Sequence, residues 1–265
     1  MKFVQLLFIS AVLSVFSFSS MADAPENKPK KPALLVAVAS NFGAAIVPIA
    51  REFEKETEQP IKVLMGATGK HFAQIQHGAP FDLFLAADVK RPRLLEQQGK
   101  VQDNGRATYA IGRLVLVRST PLTYNFGDHP TPEMLLKDQS FFKFAVANPR
   151  LAPYGRAAQN YLQSLSLFHV IRPRMVMGEN IGQTYQFIKS GNADMGLVSM
   201  SQVISDLGVE LQGIKWWLID ETTYNPIEQQ MVLLSDKKEA RQFFDYLRTE
   251  KAKEHIERFG YKYPE

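Results

Sequence analysis

Apolar and polar positions change period in a regular way from residue 33 onward. Ala33–Ala39 (ALLVAVA) is apolar throughout, and Ser40-Asn41 follow it. Apolar residues then recur at helical spacing, at Phe42, Ala45, Ile46, Ile49, Ala50 and Phe53, before a charged end, REFEKETEQ. This is a buried strand, a capping pair and an amphipathic helix. Pro48 falls inside the helical pattern and marks a point of kinking. Ile61–Met65 reads as a second strand. Thr68 opens a second helix, with Phe72, Ile75 and Gln76 inside it and Gly78 ending it. Phe81–Leu85 (FDLFL) is a third strand, and Arg91–Gln98 a helix stopped by Gly99.

The second half follows the same logic. Arg113–Arg118 and Phe144–Ala147 read as strands, and Tyr154-Gly155 opens the helix GRAAQNYLQSL. Met175–Met177 is a short strand, and Asn180-Ile181-Gly182 opens the helix QTYQFIKSG. Ala193–Val198 and Gln230–Leu234 are late strands, and one terminal helix runs from Lys237 to about Phe259. Strands that are apolar on both sides and alternate with helices belong to an α/β fold, a parallel sheet covered on both faces. Ligands of such sheets bind outside the carboxyl ends of the strands.

The start of the chain does not belong to this pattern. Residues 1–22 carry one Lys and then a short apolar run, with small residues at Ser20, Ala22 and Ala24. That is the layout of a cleaved signal peptide, with cleavage after Ala22 or Ala24, and the expected destination is the periplasm. Residues 23–32 (DAPENKPKKP) are polar and Pro-rich and read as a disordered tether. The remaining chain of about 240 residues is one large domain or two small ones. It contains no Cys, which removes disulfides, thiol chemistry and a lipid anchor at the cleavage site, so stability has to come from an apolar core. Without the signal segment, 30 basic side chains face 27 acidic ones, a net of +3. That is too mild to argue for nucleic acid.

The stretch GATGKH invites comparison with a phosphate-binding loop, G-x-x-x-x-G-K-[ST]. With Gly69-Lys70 as the GK pair, the first Gly falls on Leu64 and the magnesium-binding hydroxyl on His71, so two of four fixed positions fail. What remains is a strand, small residues and a helix start at Thr68, where unpaired N–H groups and the helix dipole favour an anion. Thr68 could equally be a plain N-cap. The same arrangement occurs four times, at Ser40-Asn41, Gly66–Gly69, Tyr154-Gly155 and Ile181-Gly182. If the halves form two facing lobes, four helix starts converge on one cleft. Neutral hydroxyls and amides would then meet a small, fully ionised oxyanion.

The segments VAVASNF, GATGKHFAQIQHGAPFDLFLAAD, NPRLAPYGRAA and GENIGQTYQFIKSGNADMGLVS resemble, in order and spacing, the periplasmic molybdate-binding proteins of ABC importers, over about residues 33–262. The resemblance implies a two-lobed type II periplasmic binding-protein fold. Each lobe is a mostly parallel sheet flanked by helices, with the ligand cleft between them. The chain would cross near Tyr109–Arg113 and return near Tyr224–Gln230, giving lobe I from 33–111 and 227–265 and lobe II from 112–226. Carried over by position, the oxyanion ligands are Ser40, Asn41, Thr68, Tyr154 and Ile181. Ser40, Thr68, Tyr154 and Ile181 would hold molybdate or tungstate through its oxygens, with no direct metal coordination. Tyr154 is expected to supply a hydroxyl that another branch of the family provides from the position of Ser199, which leaves Ser199 outside the set. The resemblance further implies no enzyme activity and no cofactor. The partners would be an inner-membrane ABC permease and its ATPase, and the protein would be a monomer.

Three other readings bound this one. The ligand could be sulfate, thiosulfate, chromate or a small organic acid. An exported esterase acting on phosphate or sulfate esters would need a nucleophile or metal site that the spacing does not offer. Asp82 and Asp88 flank FDLFLAAD and read as capping and orienting groups, not metal ligands. Lys70 reads as a solvated helix residue, with anion steering as the other option. Trp216-Trp217 reads as packing, and the five His (71, 77, 129, 169, 255) form no ligand pair.

Overall fold

In the computed structural model, residues 31–119, 129–206 and 213–264 are described. The expected signal segment and nearly all of the tether lie outside them. The first sheet is built from β1 (Leu34–Ala39), β2 (Ile61–Gly66), β3 (Leu83–Leu85), β4 (Arg106–Gly112) and a late strand, β10 (Ile227–Leu233), in the order β2-β1-β3-β10-β4. The second uses β5 (Leu114–Arg118), β6 (Phe144–Ala147), β7 (Met175–Gly178), β8 (Met195–Ser199) and β9 (Lys215–Leu218), in the order β7-β6-β8-β5-β9. The chain therefore leaves the first sheet after β4 and re-enters it at β10. Each sheet is the frame of one lobe.

The sheets are mixed. β1 runs parallel to β2 and β3, and β6 parallel to β7 and β8, as the apolar runs predict. β10 is antiparallel to β3 and β4, and β5 is antiparallel to β8 and β9. Half of the pairings thus depart from the mostly parallel expectation. The reason is connectivity: the strands that carry the chain between lobes arrive without a crossover helix, and such strands pair antiparallel.

Helices cover both faces of the first sheet. Along β1, Leu34, Val36 and Val38 point to the side filled by α1 (Gly43–Thr57), α9 (Lys238–Tyr246) and α10 (Glu250–Arg258), while Ala37 points to the side of α2 (Thr68–Gln76) and α3 (Lys90–Gln97). The two-residue period of a strand accounts for this division. Phe53 packs on Phe243 at 5.0 Å between ring centroids, joining the first helix to the ninth. The single terminal helix of the sequence reading is two helices, because the chain turns at Leu247–Thr249 and Thr249 caps α10 by accepting from the Ala252 N–H. In the second lobe, α5 (Pro153–Ser164) and α7 (Ile181–Lys189) pack on β6 and on the central strand β8. The lobe also contains α4 (Pro132–Asp138), α6 (Phe168–Ile171) and α8 (Met200–Asp206), none of which the sequence pattern resolved. Trp216 and Trp217 lie on β9 and pack half-buried against this core, as expected.

One packing detail fixes the turn between β2 and α2. His71 is buried, and its Nδ1 faces Gln74 Oε1 at 3.1 Å. Its Nε2 would lie 2.7 Å from a Cβ placed on Gly66. The turn can sit on the imidazole only because residue 66 has no side chain. Burial, with Lys70 adding to it, pushes the His71 pKa below its ordinary 6.5. The folded state therefore binds fewer protons than the unfolded state, and the stability this group contributes above pH 6.5 is lost as pH falls below that value. Thermal melts between pH 7 and 5 should show a smaller loss of Tm for His71→Leu than for the wild type. Parallel pH profiles would disprove this account.

Candidate functional site

The carboxyl ends of β1, β2, β6 and β7 face one small pocket between the lobes, with a volume of about 10 Å³. Its wall takes Ser40, Asn41, Gly66, Ala67 and Thr68 from the first lobe and Ala152, Pro153, Tyr154 and Ile181 from the second, with Ala39 and Ala87 completing it. All five residues expected from the sequence are in this wall. No charged side chain is.

The backbone amides of the surrounding helices can be counted one by one. At the start of α2, the Gly69 N–H donates to Leu151 O across the cleft (2.9 Å), and the N–H groups of Lys70 and His71 donate to Ala67 O. At the start of α5, Pro153 has no N–H, and the amides of Gly155 and Arg156 donate to Ala152 O. At the start of α7, the Gly182 N–H donates to Ser40 Oγ (3.2 Å), the Gln183 N–H to Asn180 Oδ1 (3.0 Å) and the Thr184 N–H to Asn180 O. One amide is left over in each first turn, those of Thr68, Tyr154 and Ile181. None of the three has a protein acceptor among the described residues.

The side chains divide differently from the expectation. Thr68 is not the N-cap; Ala67 is, and the buried Thr68 hydroxyl accepts from the Ala87 N–H at 3.1 Å, which leaves its own proton to donate. Ser40 Oγ sits between the lobes, donating to Asn180 Oδ1 (3.1 Å) and accepting from Gly182. Asn41 turns away from the cavity. Both protons of its amide are taken, by Gln229 Oε1 (2.8 Å) and by the Tyr261 hydroxyl (3.0 Å), so the side chain has none for a ligand. The Tyr154 hydroxyl lies beside Gly112 and faces the Gln229 side-chain amide. What Tyr154 brings to the cavity is the start of α5, not the phenol proton expected from the sequence. Burial, together with the neighbouring Tyr261, Tyr224 and Tyr109, holds that phenol well above its ordinary pKa against a weaker pull from Gln229. It stays neutral. Ser199 lies outside the pocket wall and donates to Gln202 Oε1 (2.8 Å), and the Gln202 amide in turn donates to Ile181 O (3.0 Å). It steadies the start of α7 from behind.

Charged groups stand around the pocket and hold the lobes together. Asp88 accepts from the Arg91 N–H and guanidinium of its own lobe and from Arg156 Nη2 of the second lobe (2.7 Å). Asp82 sits at the opposite end of its strand, accepting from the Leu35 N–H (2.8 Å) and pairing with Lys237 (2.8 Å). Lys70 pairs with Glu179 across the cleft at 2.9 Å, both side chains about half exposed, so it is neither a free solvated residue nor a pocket ligand. Among the described residues, no group of three His, Asp or Glu side chains could hold a metal ion.

The comparisons fit this geometry. A family described as bacterial extracellular solute-binding proteins matches residues 34–262. The chain is 40% identical to the molybdate-binding protein ModA of Azotobacter vinelandii over 85% of its own length and 88% of that protein. It is 34% identical to the ModA of Rhodobacter capsulatus over 86% and 87%. The solved structure of the Azotobacter vinelandii periplasmic molybdate-binding protein superposes with a TM-score of 0.80 at 33% identity, covering 88% of this chain and all of that one. The two-lobed type II architecture follows, and the chain belongs to the bacterial extracellular solute-binding protein family.

Proposed function

We propose that this protein binds molybdate, and with it tungstate, between its lobes in the periplasm and delivers it to an inner-membrane ABC permease and its ATPase. The three unanswered amides of Thr68, Tyr154 and Ile181 carry this reading. Each sits at the positive end of a helix, in a wall with no charged side chain. A tetrahedral dianion that carries no proton needs donors and no acceptor, and that is what such a wall offers. The Thr68 hydroxyl adds a fourth donor. The Ser40 hydroxyl adds a fifth by turning from Asn180 to the anion. The lobes comprise 33–111 with 227–265, and 112–226, and the anion joins them. Protonated phosphate is rejected because no carboxylate lines the wall to accept its proton, and selectivity over sulfate would come from ion size, since charge and geometry are nearly the same. No reaction is catalysed.

Isothermal titration calorimetry of the mature, ligand-stripped protein tests the reading directly. Tight one-to-one binding of molybdate and tungstate is expected, with sulfate and phosphate silent. Sulfate binding as tight as molybdate would move the function to sulfur uptake.

Thr68→Ala is expected to weaken molybdate binding by about 1–3 kcal/mol, the loss of one hydrogen bond to a charged group. Unchanged affinity would remove Thr68 from the ligand set.

Lys70→Gln is expected to leave the equilibrium affinity within about threefold of wild type, since an exposed ion pair contributes less than ~1 kcal/mol. A larger loss at low salt that disappears at high salt would make Lys70 a steering group instead.

A further inference from the structure

Gly112 is the last residue of β4 and pairs with Ile227, the first of β10, so it marks the place where the chain passes between lobes in both directions. A Cβ at this position would lie 2.1 Å from the Tyr154 hydroxyl oxygen, 2.9 Å from Tyr154 Cζ and 2.7 Å from Gln229 Nε2. Tyr154 is 1% exposed and Gln229 is fully buried, and the hydroxyl faces the Gln229 side-chain amide beside the bare Cα. The other end of the Gln229 amide is engaged twice, accepting from Asn41 Nδ2 (2.8 Å) and the Tyr109 hydroxyl (3.0 Å). One line of contacts therefore runs from the first-lobe pocket turn, through the returning strand, to the first turn of α5 and the bare Cα of Gly112.

We infer that Gly112 is a positioning residue for ligand retention: its missing side chain leaves the room that Tyr154 needs to hold the start of α5 over the pocket when the lobes are shut. The inference rests on the reading that an oxyanion is held between the lobes. The crossing backbone cannot retreat, because residue 112 is pinned in the β4–β10 ladder and the Leu114 N–H beyond it donates to the Tyr224 hydroxyl (3.1 Å). The Tyr154 ring cannot swing aside within a close-packed core. A methyl group at 112 is relieved by moving α5, and with it the second lobe, away from the crossing. Capture by the open protein is unaffected by this, and escape from the shut protein is accelerated.

Stopped-flow fluorescence with molybdate, with X-ray scattering at saturation, on wild type, Gly112→Ala, Tyr154→Phe and the double variant separates these effects. Gly112→Ala is expected to raise the dissociation rate by about tenfold or more while the association rate stays within about threefold. Its radius of gyration at saturation should exceed that of wild type. Tyr154→Phe removes the nearest of the three atoms that meet the methyl and leaves the ring carbon at 2.9 Å and Gln229 Nε2 at 2.7 Å, so the double variant should dissociate more slowly than Gly112→Ala but still faster than Tyr154→Phe alone. If Gly112→Ala does not fold, a folded double variant that dissociates faster than Tyr154→Phe, with an unchanged association rate, still supports the inference. Wild-type dissociation from Gly112→Ala, independent multiplication of the two effects, or failure of both Gly112 variants to fold overturns it. A wild type silent to molybdate overturns the ligand assignment, and the same rates and scattering are then read with whichever of tungstate, sulfate or thiosulfate the wild type binds.

Discussion

A helix-start N–H without an acceptor is costly in a folded protein, and among the described residues α2, α5 and α7 each leave one at the pocket. The amides of Thr68, Tyr154 and Ile181 begin helices whose other first-turn donors are answered from within the protein. Much of the architecture can be read as the means of presenting them. Parallel strands β1, β2, β6 and β7 end at the cleft, so the helices that follow start there. Pro153 removes one donor that would otherwise compete, and Asn180 and Ala67 absorb others.

The lobes are joined by bonds of unequal strength. The Lys70–Glu179 pair is exposed and weak, while Asp88 is nearly buried and accepts from both lobes. Ser40 and Gly69 contribute neutral hydrogen bonds at the cavity edge. Behind them a fully buried polar cluster of Asn41, Tyr109, Ser201, Gln229 and Tyr261 links the first helix turn to both ends of the chain's return. Such a cluster is stabilising only when its members are satisfied together, and the Tyr154 hydroxyl faces the Gln229 amide at its edge.

The elements that make the pocket were legible because each is local. ALLVAVA followed by Ser40, and the small-residue turn before Thr68, declare a strand end and a helix start within a few residues. The roles of side chains were legible only where the partner is near in sequence. Asn41 is engaged by Gln229 and Tyr261, 188 and 220 residues away, and no local pattern announces that. The Tyr154 hydroxyl is directed at Gly112, at the end of a strand of the first sheet, 42 residues before it. β4 went unread because RATYAIG mixes polar and apolar positions without the alternation of a half-buried strand, and the division of the terminal helix depends on Thr249 acting as a cap. The discontinuous first lobe came from family resemblance, since nothing in the periodicity says that β10 returns to β3.

That return has a consequence for how the chain is made. Until β10 arrives, β3 has an open edge with unpaired backbone groups, and the hydrophobic faces that α9 and α10 will cover are bare. The strand that closes the edge is synthesised only after the whole second sheet. The first lobe is thus a high-contact-order structure interrupted by an insertion that can complete its own sheet first. For a chain made from its amino end, the half that begins first is the half that finishes last.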